Sequence, residues 1–220
     1  RDYILDGMAG PDASGKVTIS GVDPLRLAQL KEAQFPRSTD IRLVGAIDAA
    51  TTAITVTAAV AGDLSDAFGN TTRRFLRMGS EILSYTGETL VTDAVYTLSG
   101  VQRGQLGTVA AAQSADSTCQ RVGRYERVTG WVAAADLIDN HTTIPAGYRD
   151  AAQWEDEGLD HLLTQRVDRT IPAPQSVESL LGEACQQFGF SIWWDERQRK
   201  IPLLPNRAPK ETPTEISDTL

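Results

Sequence analysis

The chain has 220 residues, 41% hydrophobic and 23% charged, with a formal net charge of −8. That length supports one large or two small domains with a sizeable core, and the acidic balance argues against a broad grip on nucleic-acid phosphates. No apolar run approaches the ~20 residues of a membrane span.

The chain opens with RDYILDG. It has neither an initiator Met nor the basic-then-apolar start of a signal peptide, so a trimmed piece of a longer protein is expected. Tyr3–Asp6 and Lys16–Ser20 read as two strands joined by GMAGPDASG. A long Gly/Pro/Asp/Ser link of this kind projects toward a neighbour. Gly10, Pro11 and Asp12 are therefore candidate subunit-interface residues. Asp23 and Pro24 suit the N-cap and first turn of a helix running to Ala33, with Leu27 and Leu30 on one face and Pro36 as its stop.

From Arg42 the pattern changes to short strands. Arg42–Ile47 and Ala53–Thr57 flank a turn at Asp48–Thr52. DLSDAFGN, Asp63 to Asn70, reads as a solvated loop: Asp63, Asp66 and Asn70 lack the spacing and the closing Glu of an EF-hand. Arg73–Met78, Ser80–Tyr85, Val95–Val101 and Ser117–Val122 complete about six strands, a set that suits a small barrel or sandwich. Ser80–Tyr85 and Val95–Val101 read as antiparallel partners across polar turn chemistry around Gly87 and Asp93. Next comes VQRGQLGT. Gly104 and Gly107 read as positions needing positive φ or close backbone approach, which marks Arg103, Gly104, Gly107 and Thr108 as a structural loop. A phosphate cradle is the competing use. No Gly-Lys-Ser/Thr follows, and Val109–Ala112 is too short for a helix that would hold an anion.

After Gly123 the helical period returns. Trp131–Ile138 and Ala151–Leu163 read as helices, the second with Trp154 and Leu162 inward and an acidic face of Glu155, Asp156, Glu157 and Asp160. Arg166–Ile171 is a strand. Val177, Leu180, Leu181, Ala184, Cys185 and Phe188 form one apolar stripe, with Ser176 as N-cap and Gly189 as the C-terminal stop. Phe190–Trp194 and Arg199–Leu204 then make a hairpin across Asp195–Gln198. The stripe is expected to face a sheet of Arg166–Ile171 and these two strands. The segment after Pro205 is polar and Pro-containing, a linker or the start of a further region. The class is α+β.

Catalytic signatures are sparse. His141 and His161 have no third ligand at metal spacing and read as surface or helix-end residues. No GxSxG elbow is present. Glu155, Asp156, Glu157, Asp195 and Glu196 are the carboxylates a glycosidase would need, but adjacent acids on a helix or turn are usually solvated. No catalytic residue, metal ligand or cofactor is assigned. Cys119 and Cys185 fall in different candidate domains and read as lone thiols. Trp193 and Trp194 point to opposite faces of their strand, so one of them is left for solvent, a sugar or a partner subunit.

Three stretches resemble tail-tip proteins of long-tailed phages and prophages. Around the loop, Gly79, Glu81, Ile82, Tyr85, Arg103, Gly104, Gly107, Thr108, Ala110 and Val122 fit a module of that group. Gln113 stands where the group usually has His, and Ser117 stands near its usual Gly. Before it, Asp23, Leu25, Leu27, Ala28, Lys31, Ala33, Gln34 and Pro36 fit a strand-and-helix pattern. After it, Pro174, Val177, Leu180, Leu181, Phe188, Gly189, Trp193, Trp194, Asp195, Glu196 and Ile201 fit the baseplate-hub pattern. The resemblance implies a discontinuous α+β hub domain of residues 1–43 and 124–205, with an inserted barrel-like β-module of residues 44–123. It also implies a virion structural protein that forms a ring under the tail tube. That ring is a homo-oligomer, often threefold, bound to other tail proteins (distal tail, tape measure, fibre or receptor-binding proteins). DNA would pass through it without specific binding. Trp193 and Trp194 join Gly10, Pro11 and Asp12 as candidate interface residues, and Glu155, Asp156, Glu157 and Asp160 become candidate channel-facing acids. The other class to weigh is a carbohydrate-binding adhesion module that touches host glycans.

Overall fold

Two hydrophobic cores, joined by one long strand, organise the chain. The computed structural model describes residues 4–9, 14, 16–60, 62–65 and 73–206. In chain order, strands β1 (Ile4–Ala9) and β2 (Thr18–Val22) form a two-stranded ribbon. A 3-10 helix, Pro24–Gln29, leads to β3 (Gln34–Phe35), β4 (Ile41–Leu43) and β5 (Ile54–Ala58). A single helical turn α1 (Gly62–Ser65) precedes β6 (Arg74–Met78), β7 (Glu81–Tyr85), β8 (Gly87–Thr92) and β9 (Val95–Ser99). The twelve-residue β10 (Thr118–Thr129) runs into α2 (Gly130–His141), and α3 (Ala151–His161), β11 (Arg166–Ile171) and β12 (Gln175–Ser176) follow. Last come α4 (Val177–Phe188), β13 (Phe190–Ile192) and β14 (Leu203–Pro205). The architecture is mixed α+β with a curled half-barrel sheet.

That sheet has the order β7-β6-β10-β4-β5-β9-β8, every pair antiparallel, with β11 added to the far half of β10. Its curl brings β7 back toward the chain leaving β9. Ser84 N donates to Gln102 O at 2.9 Å and Gln102 N to Ser84 O at 2.8 Å. The antiparallel partnership expected between residues 80–85 and 95–101 is not formed, since Gln102 lies just past that range and β8, a strand the polar GETLVT sequence hid, pairs with β9 instead. Four of the six residues of β8 are exposed, so its side chains carry no apolar period. One core fills the curl, with Ile41, Val56, Leu76, Leu83 and Tyr85 buried together. The chain enters this core at Ile41 and leaves it at Cys119, and these two residues are register partners on β4 and β10. Ile41 and Leu43 fill it although the sequence reading set the edge of the β-module after residue 43.

The other core gathers Phe35, Tyr125, Trp154, Leu180, Phe188 and Ile201. Helix α4 is built as its sequence dictates. Ser176 caps it by accepting from Ser179 N, and Gly189 ends it in the left-handed region at φ 65°. Its stripe does not face a sheet of β11, β13 and β14. Strand β11 belongs to β10, and β13–β14 is a separate ribbon. The stripe packs on α2, where Gly130 makes room: a Cβ there would lie 2.3 Å from a Phe188 ring carbon, while Leu180, Ala184 and Phe188 also share a cleft with Val167 and Ile171 of β11. The expected helix to Ala33 is a six-residue 3-10 turn, and the Asp23 side chain makes no cap bond. The chain is already extended at Leu30, because Gln34 and Phe35 are drawn into pairing with β12. Strand pairing across the fold outcompetes helix propagation here.

Candidate functional site

Strand period aims Glu81 inward. It shares a face of β7 with Leu83 and Tyr85, and its side chain is fully buried. Arg103 meets it edge to edge: Nε donates to Oε1 at 2.6 Å and Nη2 to Oε2 at 2.7 Å. The other guanidinium hydrogens are used as well. Nη1 donates to the carbonyls of Asp48 and Thr51, each at 2.8 Å, and Nη2 to that of Ala111 at 2.7 Å. Glu81 accepts in addition from Gly104 N at 3.1 Å and Ala111 N at 3.0 Å. Every donor of the guanidinium and every lone-pair site of the carboxylate is thereby matched. Burial pushes the Glu81 carboxyl up, but the Arg103 bonds, followed by the two backbone N–H groups, hold it below the usual carboxylate range. The same pair raises Arg103.

The rest of the loop is tied down in the same way. Thr108 Oγ1 accepts from Ile82 N at 2.9 Å and donates to Gln105 O at 2.7 Å, and Gln105 N donates to Ile82 O. Gly104 has φ 59°, and a Cβ there would come within 3.1 Å of Ala110 N; Gly107 has φ 80°. The loop spends its backbone donors internally: Gly104 N and Ala111 N both donate to the chain's own Glu81. Gln113 bonds Ile47 through both backbone groups and reaches Met78 O with its side chain, so amide chemistry closes the turn at that position. What stays outward is apolar: Leu106, itself at φ 55°, and Val109, 81% exposed. The sequence reading missed the Asp48–Thr51 turn as a partner of this site. Its signal is Asp48, whose Oδ1 accepts from Ala50 N, Thr51 N and the Thr51 hydroxyl and so presents two carbonyls to Arg103.

A second polar cluster lies in the other core and has no counterpart in the sequence reading. The Tyr125 hydroxyl donates to Asp136 Oδ2 at 2.6 Å, Asn140 Nδ2 donates to Oδ1 at 2.8 Å, and His141 Nε2 stands 3.6 Å from Oδ2. Burial raises the Asp136 carboxyl, and His141, Tyr125 and Asn140 together bring it below the ordinary range. Desolvation drives the Tyr125 hydroxyl far up, so it stays a donor. His141 is the last residue of α2, as a helix-end residue, but it is buried against Phe35 rather than on the surface.

The remaining sequence candidates do not converge. Glu155, Asp156 and Asp160 are exposed on α3, and Glu157 is half-buried with His161 Nε2 at 3.8 Å. Asp195 caps its own turn by accepting from Arg197 N and Gln198 N, and Glu196 is exposed. Trp193 is exposed, and Trp194 packs against the core and Tyr148. Gly10, Pro11 and Asp12 lie outside the described residues, as do Asp66 and Asn70. Asp63 is described and stands 3.9 Å from Arg121. Cys119 is buried, its thiol pushed up to about 12 by desolvation, and Cys185 is half-buried; both are free.

Among the described residues no group of three His, Cys, Asp or Glu side chains is placed to hold a metal ion. No helix there is long and apolar enough to cross a membrane. Comparison with protein-family models, with curated proteins and with solved structures finds no match.

Proposed function

We propose that this chain is a structural subunit of a long-tailed phage tail tip, of baseplate-hub type, that assembles into a ring under the tail tube around the DNA passage. One observation carries the reading. Glu81, Arg103, Gly104 and Thr108, residues of the module that resembles tail-tip proteins, meet in one closed network whose hydrogen-bonding capacity is spent internally. Residues used in this way serve rigidity, the property an assembly subunit needs. The exchange of cores at Ile41 and Cys119 supports a β-module set into a surrounding α+β hub. In this reading Glu155, Asp156 and Asp160 face the lumen, where like charge keeps DNA from sticking. Affinity-tagging the chain during phage or prophage induction tests it. Tagged tails carrying the chain in fixed stoichiometry support the proposal, and tails without it refute it.

A second reading, glycan adhesion, draws on one feature, the exposed Trp193 beside the turn at residues 195–198. An aromatic ring exposed in this way suits stacking on a sugar. It predicts binding of the isolated chain to host polysaccharide that Trp193→Ala abolishes.

A further inference from the structure

We propose that the cleft between the 3-10 helix and the turn at residues 195–198 is a binding site for a neutral, hydroxyl-rich saccharide. The inference rests on the glycan reading above and gives it a place on the molecule.

The cleft has a volume of about 670 Å³, within the ~300–1,000 Å³ of ordinary small-ligand sites. Asp23, Arg26 and Gln29 line it from the helix and Glu196 from the turn, and Val22 and Leu25 add apolar wall. The helix type builds the polar row. A 3-10 helix has about three residues per turn, so side chains three apart stand one above another. In an α-helix the same three would drift around the axis. Arg26 N donates to Asp23 O at 3.1 Å, which closes the first turn and sets Asp23 at the head of the row. The Arg26 guanidinium bonds the Gln29 carboxamide, and Gln29 Nε2 donates to Glu178 Oε1 at 2.8 Å. Asp23 holds the N-cap position, yet its side chain makes no cap bond. Its carboxylate is left to the cleft.

This lining matches the chemistry of a sugar. A hydroxyl both donates and accepts, so a run of hydroxyls needs acceptors and donors side by side. Asp23 and Glu196 accept, Arg26 donates, and Gln29 does both. Val22 and Leu25 suit the C–H face of a sugar ring. Two carboxylates against one guanidinium leave the lining formally negative, on a chain of net charge −8. Like charge disfavours glycans that carry uronate or phosphate groups, which selects a neutral one. Trp193, 41% exposed, stands three residues before Glu196 and offers a ring at the root of the same turn.

The test titrates cellopentaose, maltopentaose, chitopentaose and, as the acidic probe, tetragalacturonate into the full-length chain by calorimetry. At least one neutral probe should bind, and tetragalacturonate should not. Asp23→Asn and Arg26→Ala should each weaken that binding about tenfold or more, the scale of a lost hydrogen bond to a charged group. Both side chains are exposed, so circular dichroism should not change. Asp93→Asn, at the exposed turn between β8 and β9, should leave binding as it is. Binding that survives both cleft variants and is lost in Trp193→Ala overturns the cleft and leaves the glycan reading standing. Tighter binding of tetragalacturonate than of every neutral probe overturns the ligand class. No binding to any probe overturns the cleft and the glycan reading together.

Discussion

Arg103 and Glu81, on a loop and a strand 22 residues apart, face each other through two hydrogen bonds of 2.6 and 2.7 Å, with side chains only 6% and 0% exposed. Removing one partner leaves the other a buried charge with no counter-charge, held only by backbone groups, which costs about 3–5 kcal/mol for a buried pair. Arg103→Ala and Glu81→Ala should each destabilise by that order in urea titrations. Their double mutant should cost well under the sum. A hydrophobic pair at both positions should not rescue stability, because the carbonyls of Asp48, Thr51 and Ala111 then lose their donor. Full rescue would show that the network is dispensable.

Acid should weaken the fold through two carboxylates. Glu81 and Asp136 both titrate below their ordinary values in the folded chain. A depressed folded pKa gives stability that is full above the unfolded value, near ~4, and is lost as pH falls through the folded one. Urea midpoints measured from pH 7 down to pH 3 should therefore fall in the acid range. Asp136→Asn should flatten part of that slope. A midpoint that rises on acidification contradicts the assignment.

Helix interiors ordinarily prefer Ala to Gly by about 1 kcal/mol. Gly158 should reverse that sign. A Cβ there would lie 2.4 to 2.6 Å from atoms of the Trp131 ring. Overpacking of this kind costs about 1–3 kcal/mol, so Gly158→Ala should lower the thermal midpoint. A higher midpoint would mean that α2 and α3 can separate at no cost.

Leu181 is buried in the core that holds Phe35 and Trp154, on the α4 stripe that packs on α2. Leu181→Ala should cost about 2–5 kcal/mol. Calorimetry showing no change would place the stripe's energetic partner outside this chain.

How much of this the sequence showed depended on where each signal lay. Helix α4 was legible to the residue because Ser176, the apolar stripe and Gly189 are all local. The 3-10 helix at Pro24 was legible at its start only, since its end is set by the pairing of Gln34 and Phe35 with residues 175 and 176, far along the chain. Strand β8 was hidden because an exposed edge strand has no buried face to impose a period. At the loop, Gly104 and Gly107 announced their backbone geometry, but the role of Glu81 did not follow from composition. A carboxylate in the run EILSY demands a buried partner, and only the fold shows that the partner is Arg103. The Tyr125–Asp136 contact joins a strand to a helix and leaves no sequence pattern at all.

A density map of assembled tails tests the central claim most directly. The account predicts this chain in a closed ring at the tail tip, with Glu155, Asp156 and Asp160 turned to the lumen. A single copy on the tail periphery, with those acids turned to bulk solvent, would contradict it.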